Sequence, residues 1–370
     1  MKDQLFNAAS IGDLAAEFAA GVPGFAGADF MAEVMAGLPG RELLARLEWI
    51  ADCLEPRLAQ DFPGMAAQLQ AAMVPELDPG LSDDDFGRFI HAVPGILAVR
   101  HGLEQHRERA LDLLYQATKR FSMEFYIRPF LNRWPDETYA RLARWVGDEN
   151  YHVRRLVSEG TRPKLPWAKR IETDPYRPLE LLDQLQADKA RYVTRSVSNH
   201  LNDLAKIDPE VVVERLEMWQ SSGRQGPREM GWMTRHALRT LVKRGDTGAL
   251  RLLGYRDDIA VVAGLKIKRA AVKIGEVLEF TCEVVTPEAE NVLVDYVLYF
   301  HRPNSPNGRE GRKVFKLKQG RTEAGKPFEM RKKHALRGGA STFTLYPGPH
   351  RIELQVNGRV AAQAAFELLA

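Results

Sequence analysis

GRELLARLEWIADCLEPRL, residues 40–58, places Leu43, Leu44, Leu47, Ile50, Ala51 and Leu54 at three- and four-residue intervals. On a helix of 3.6 residues per turn these positions share one face, so the segment reads as a helix with a single buried stripe. The same period returns at about 101–118, 137–160, 187–206, 209–220 and 230–243. Between these segments stand start and stop signals: Ser82-Asp83-Asp84-Asp85, Asp208-Pro209 and Gly245-Asp246. Short helices with short connections predict stacked antiparallel helix pairs up to about residue 255. No residue-level consensus of the tetratricopeptide kind accompanies the period.

After residue 258 the period falls to two. VLEFTCEVVT (277–286), NVLVDYVLYFHR (291–302), RKVFKLKQG (312–320) and HRIELQVNGRVAAQAAFELL (350–369) alternate apolar and polar residues and are rich in β-branched and aromatic side chains. Pro303-Asn304-Ser305-Pro306-Asn307-Gly308 reads as a turn, and Asn357-Gly358 as a hairpin turn. About 110 residues of antiparallel strands predict a β-sandwich of immunoglobulin-like size. The expected fold is thus multidomain α and β: a helical repeat solenoid over 1–255, followed by a C-terminal sandwich over 259–370.

The 370 residues are 45% hydrophobic and 27% charged, a composition that supports a sizeable core and excludes wholesale disorder. No apolar run is long enough to span a membrane, and acids interrupt the first apolar stretch as they would not in a secretory signal. Cys53 and Cys282 are too far apart in sequence to form a zinc CxxC pair and too few for a disulfide framework. A reducing cytosol is the expected compartment. The net charge of +3 conceals a division. Residues 1–95 carry 5 basic and 15 acidic side chains, leaving 47 basic against 34 acidic in residues 96–370. Twelve Lys and Arg fall within 302–337, among them Arg312, Lys313, Lys332 and Lys333. A field of that sign attracts nucleic acid; a basic hairpin that merely keeps the sandwich soluble is the alternative.

No phosphate-binding loop, zinc-protease helix or hydrolase elbow stands in its required context. Glu149 and His152 form a lone ExxH, better explained by a capping or surface role than by a metal, and neither metal nor cofactor is expected. Thr161–Pro178 has prolines at 163, 166, 175 and 178, which forbid a continuous helix. This candidate ligand loop carries Arg162, Lys164, Trp167, Lys169 and Arg170. Three i,i+4 pairs lie on successive helices: Glu124 with Arg128, Arg155 with Glu159, and Asn199 with Asp203. Each alone is an ordinary helix-surface pair. Their acids, however, lie 35 and 44 residues apart, near the length of a helical-pair repeat, so they would line one wall.

FSMEFYIRPF (121–130), DENYHVRRLVSEGTRPKLPW (148–167) and VSNHLNDLAK (197–206) together resemble the AlkC branch of the AlkC/AlkD family of bacterial DNA glycosylases. The resemblance implies HEAT-like repeats and, as in some members of the branch, an appended immunoglobulin-like domain. It implies hydrolysis of the N-glycosidic bond of cationic lesions such as 3-methyladenine and 3-methylcytosine in double-stranded DNA, without base flipping and with no obligate protein partner. Carried onto this sequence, it makes Glu124, Glu159 and Asp203 candidate catalytic carboxylates and Trp167 an aromatic wall. A core tryptophan anchoring the loop is the competing role for Trp167. Arg154 and Arg155 would meet phosphates, with an Arg155–Glu159 ion pair as the other possibility for the latter. Arg162, Lys164, Asn199 and His200 complete the expected DNA-facing set, and the sandwich would be a second DNA clamp.

Overall fold

The computed structural model describes residues 2–81, 83, 86–303, 305, 310–339 and 344–370. Ser82, Asp84 and Asp85 of the expected helix start lie outside the described residues, as do Asn304, Pro306, Asn307 and Gly308 of the expected turn. By its contacts the chain divides into two compact units, Met1–Leu204 with Met218–Ala237, and Ala205–Glu217 with Leu238–Ala370.

The helix expected at 40–58 spans Leu43–Leu54 and buries Leu47, Ile50, Ala51, Cys53 and Leu54, while Leu44 is left exposed. The stretch 137–160 is two helices, Pro135–Trp145 and Tyr151–Gly160. The periodic apolar residues run through the break, but the polar ones impose it: Asp148 Oδ1 accepts from Asn150 N, and the Asn150 side chain accepts from His152 N as an N-cap. Helix Tyr151–Gly160 packs against both Glu124–Arg133 and Arg191–Leu204. Gly160 permits the first approach, since a β-carbon there would stand 2.6 Å from Cγ2 of Ile127. Thr161–Pro178 forms neither helix nor strand.

The β part comprises β1 (Val262–Ile267), β2 (Ala271–Lys273), β3 (Val277–Val285), β4 (Asn291–Phe300), β5 (Gly311–Arg321), β6 (Phe328–Ala335), β7 (Gly348–Val356) and β8 (Arg359–Leu369). Two sheets form, ordered β1-β3-β6 and β2-β8-β7-β4-β5. Alternation on β3 sends Leu278, Phe280, Cys282 and Val284 into a shared core with Tyr296 and Leu298 of β4 and Ile352 and Leu354 of β7. Asn357 and Gly358 both take positive φ, 47° and 82°, in the tight connection between β7 and β8. Two expectations need correction. The β2–β8 pair is parallel, so the sheets are not wholly antiparallel. The basic segment is not a hairpin either, because β5 and β6 belong to different sheets. Arg312 and Lys313 therefore sit on the five-stranded sheet and Lys332 and Lys333 on the three-stranded one. Within each pair the adjacent side chains point to opposite faces, so the four do not make one patch.

Candidate active site

Glu124 stands in the first turn of its helix, whereas Glu159 and Asp203 stand in the last turns of theirs. A helix C-terminus disfavours an anion by about 0.3–1 kcal/mol, so both of the latter need cationic partners. Arg162, just past the end of helix Tyr151–Gly160, serves both: its Nη1 donates to Glu159 Oε1 at 2.6 Å and its Nε to Asp203 Oδ2 at 2.9 Å. On the other side Arg155 Nη1 donates to Glu124 Oε2 at 2.9 Å, and its Nη2 lies 3.8 Å from Glu159 Oε2. The result is an alternating row, Glu124–Arg155–Glu159–Arg162–Asp203, that crosses three helices. The structure thus brings the three candidate acids together.

Burial gives the row its electrostatic weight. The side chains of Glu159 and Asp203 are only 7% and 4% exposed, and that of Glu124 15%. Burial pushes the Glu159 carboxyl upward, but Arg155 and Arg162, together with the Ser196 hydroxyl, outweigh it and hold the group below the usual glutamate range. Ser196 Oγ donates to Glu159 Oε2 at 2.7 Å, and Ser122 Oγ accepts from Arg155 at 2.7 Å while bonding Glu124. Tyr192 lies beneath the Arg155 guanidinium, 4.2 Å from its ring centroid. The sequence reading missed these three residues. Ser196 was accessible to it, being seven residues before Asp203 on the same helix face. Ser122 was not, because it precedes its helix.

Of the expected i,i+4 pairs, Glu124–Arg128 does not form as a bond. Arg128 is 1% exposed and donates to three carbonyls, those of Gly160 (3.1 Å), Arg162 (2.9 Å) and Lys169 (2.5 Å). Arg155–Glu159 is present but longer than the bond Arg155 makes to Glu124 on the neighbouring helix. Trp167 is not a core residue: it is 75% exposed, the one exposed tryptophan of the six, with φ of 63°. A positive φ on a bulky aromatic residue costs about 1–3 kcal/mol and persists only where the surroundings impose it. With Phe125, Tyr126, Pro129, Leu44 and Leu47 it borders a cavity of about 400 Å³.

The expected DNA-facing residues divide. Lys164 is exposed, and no side chain pairs with it among the described residues. Asn199 is half-buried and shares a hydrogen bond of 2.9 Å with His236. Arg154 is instead committed within the protein, to both oxygens of Asp188 and to the carbonyls of Asp148 and Glu149. His200 is fully buried, its Nδ1 3.1 Å from the Ser158 carbonyl, so it does not face DNA. His152 of the ExxH is buried too, tilted against the Tyr151 ring and edge-on to Tyr192, which overturns the surface role expected for it.

Burial lowers the His200 pKa to about 4, despite the Ser158 carbonyl and the nearby Asp203 and Glu159, with Arg162 adding to the shift. An unfolded histidine titrates near 6.5, so between that value and 4 the unfolded chain binds a proton that the folded one refuses. Stability is therefore complete above pH 6.5 and falls as pH drops through this window, by about 2 kcal/mol at pH 5 from this residue alone. Urea denaturation at pH 7.5 and pH 5 will show a smaller loss for His200→Gln than for the wild type. Equal losses would remove the assignment.

Residues 261–370 match a family model described as "Uncharacterised protein YhaZ, C-terminal Ig-like domain". The chain is 32% identical over 267 residues to "Uncharacterized protein YhaZ" of Bacillus subtilis (strain 168), covering 71% of this chain and 72% of that protein. It also matches the structure of Pseudomonas fluorescens alkylpurine DNA glycosylase AlkC bound to DNA containing an abasic site analog. That match has a TM-score of 0.86 and 32% identity over 100% of this chain and 99% of the other.

Proposed function

Since this chain belongs to the AlkC branch of the AlkC/AlkD family, we propose that it is a DNA glycosylase that releases alkylated bases from double-stranded DNA by hydrolysing the N-glycosidic bond. The observation that carries the chemistry is the row Glu124–Arg155–Glu159–Arg162–Asp203. An N-alkylated base already bears positive charge and leaves as a neutral molecule, so no general acid is needed. As it departs, the charge passes to an oxocarbenium-like sugar. A carboxylate held ionised by flanking arginines is a weak base and a poor acid, but a fixed negative charge against which that cation can form. Glu159 is the leading candidate for this role, with Glu124 and Asp203 beside it, and either can orient the attacking water.

On this reading Trp167 projects towards the nucleotide, and 3-methyladenine and 3-methylcytosine are the preferred lesions because both are cationic. Carboxylates held within the helical wall suit a base attacked where it stacks rather than in an extrusion pocket. On the same reading residues 1–255 are the catalytic domain and 259–370 a second DNA-binding domain, in which an exposed cation such as Arg312 would screen phosphate charge. Among the described residues no helix is long and apolar enough to cross a membrane.

The test is incubation with N-methylated duplex DNA and chromatography of the supernatant. Release of free methylated purine above the spontaneous rate is the expected result. Salt-dependent binding without release would make the protein a damage sensor and end the enzymatic reading.

A further inference from the structure

Arg128 makes no bond to any acid of the row, although it is close enough to Asp203, Glu159 and Glu124 to feel their charge. Its guanidinium is buried and spent on backbone carbonyls at the end of helix Tyr151–Gly160 (Gly160) and at the start and middle of the proline-broken loop (Arg162 and Lys169). One turn further along the same helix, Asn132 donates to the Arg170 carbonyl at 2.9 Å and accepts from Glu172 N at 3.0 Å. Two side chains of the helix that begins with Glu124 thus hold the loop on either side of Trp167 by its backbone. The loop has no helix or strand of its own to fix it, and Trp167 sits at its exposed crest in a conformation that an aromatic residue does not adopt unaided.

We infer that Arg128, assisted by Asn132, is a positioning residue that sets the register between the Trp167 indole and the carboxylate row. The inference rests on the glycosylase reading for its consequence in catalysis, but its structural content does not. A planar group with five donors suits the task, because three carbonyls in different directions can be met at once. Lysine presents its donors from a single point and retains only part of the hold.

The experiment compares Arg128→Met, Arg128→Lys and Asn132→Ala with Trp167→Ala, alone and combined, in single-turnover release of methylated purine. A displacement of about 1 Å costs about 100-fold in rate, and Arg128→Met will lose about that much, with Arg128→Lys intermediate. The double variant Arg128→Met/Trp167→Ala will be no slower than the slower single variant, since a clamp on an absent indole has nothing to place. Losses that multiply in the double variant would overturn the inference. Acrylamide quenching of tryptophan fluorescence supplies a readout free of catalysis. The quenchable fraction is assigned to Trp167 by the Trp167→Phe difference, and it will change in Arg128→Met and in Asn132→Ala, whose half-buried site lies outside the core. An unchanged quenching profile in both would overturn the clamp even if no base were released by any form; changed quenching without release would fault the glycosylase reading alone.

Discussion

Glu159→Gln will lower single-turnover base release by about 100- to 1,000-fold, the usual cost of removing one preorganised charge from a site where charge develops. The substitution is nearly isosteric, and it leaves Arg155 bonded to Glu124 and Arg162 to Asp203, so neither guanidinium is stranded. Binding to a duplex with an abasic-site analogue will be retained, since the change adds no negative charge and leaves both arginines bonded. Because Glu159 is held ionised well into acid, the wild-type rate will show no rise attributable to this group between pH 6 and 8. Full activity in Glu159→Gln would leave the enzyme class standing and remove the carboxylate from its mechanism.

Arg162→Met carries the largest expected effect on the fold. It strands Glu159 beside a distant Arg155 and removes the bonds that Asp203 receives from Nε and Nη2. Breaking a buried ion pair from one side costs about 3–5 kcal/mol, because the remaining buried charge loses its nearest compensating cation. Urea denaturation at pH 7.5 will show a loss of that size. Adding Asp203→Asn to Arg162→Met will recover part of it, since the amide carries no charge to strand. A loss below about 1 kcal/mol would mean that water or another group takes over the arginine's role. The two substitutions therefore separate the two duties of the row: the glutamate change acts on rate with the fold intact, and the arginine change acts on the fold first.

The readings that survived rest on local periodicity. The stripe of Leu47, Ile50 and Leu54, the alternation of Leu278, Phe280, Cys282 and Val284, and the Asn357-Gly358 turn each encode a secondary structure that any packing must respect. Proline density likewise marked Thr161–Pro178 as a loop. The split of 137–160 was legible only in part, since Asn150 looks like an interior residue until its side chain is seen to cap. Partner choice was the least legible. An i,i+4 interval shows that Glu124 and Arg128 share a face, but not that the neighbouring helix brings a second arginine closer. His200 entered the DNA-facing set through the family resemblance alone, yet its side of the helix faces the Ser158 carbonyl.

By itself, then, the sequence determined the order of helical and strand regions, the place of the exposed loop, and the repeat-length spacing of three acids. Each of these depends on residues close in the chain, whose geometry the backbone period fixes in advance. Only the tertiary structure decided that Arg155 and Arg162 alternate with those acids, that Arg128 grips a loop backbone some forty residues away in sequence, and that Trp167 faces solvent. Those outcomes depend on which helix lies beside which, and on the energetic demand that every buried charge find an opposite charge or hydrogen-bond partners within reach.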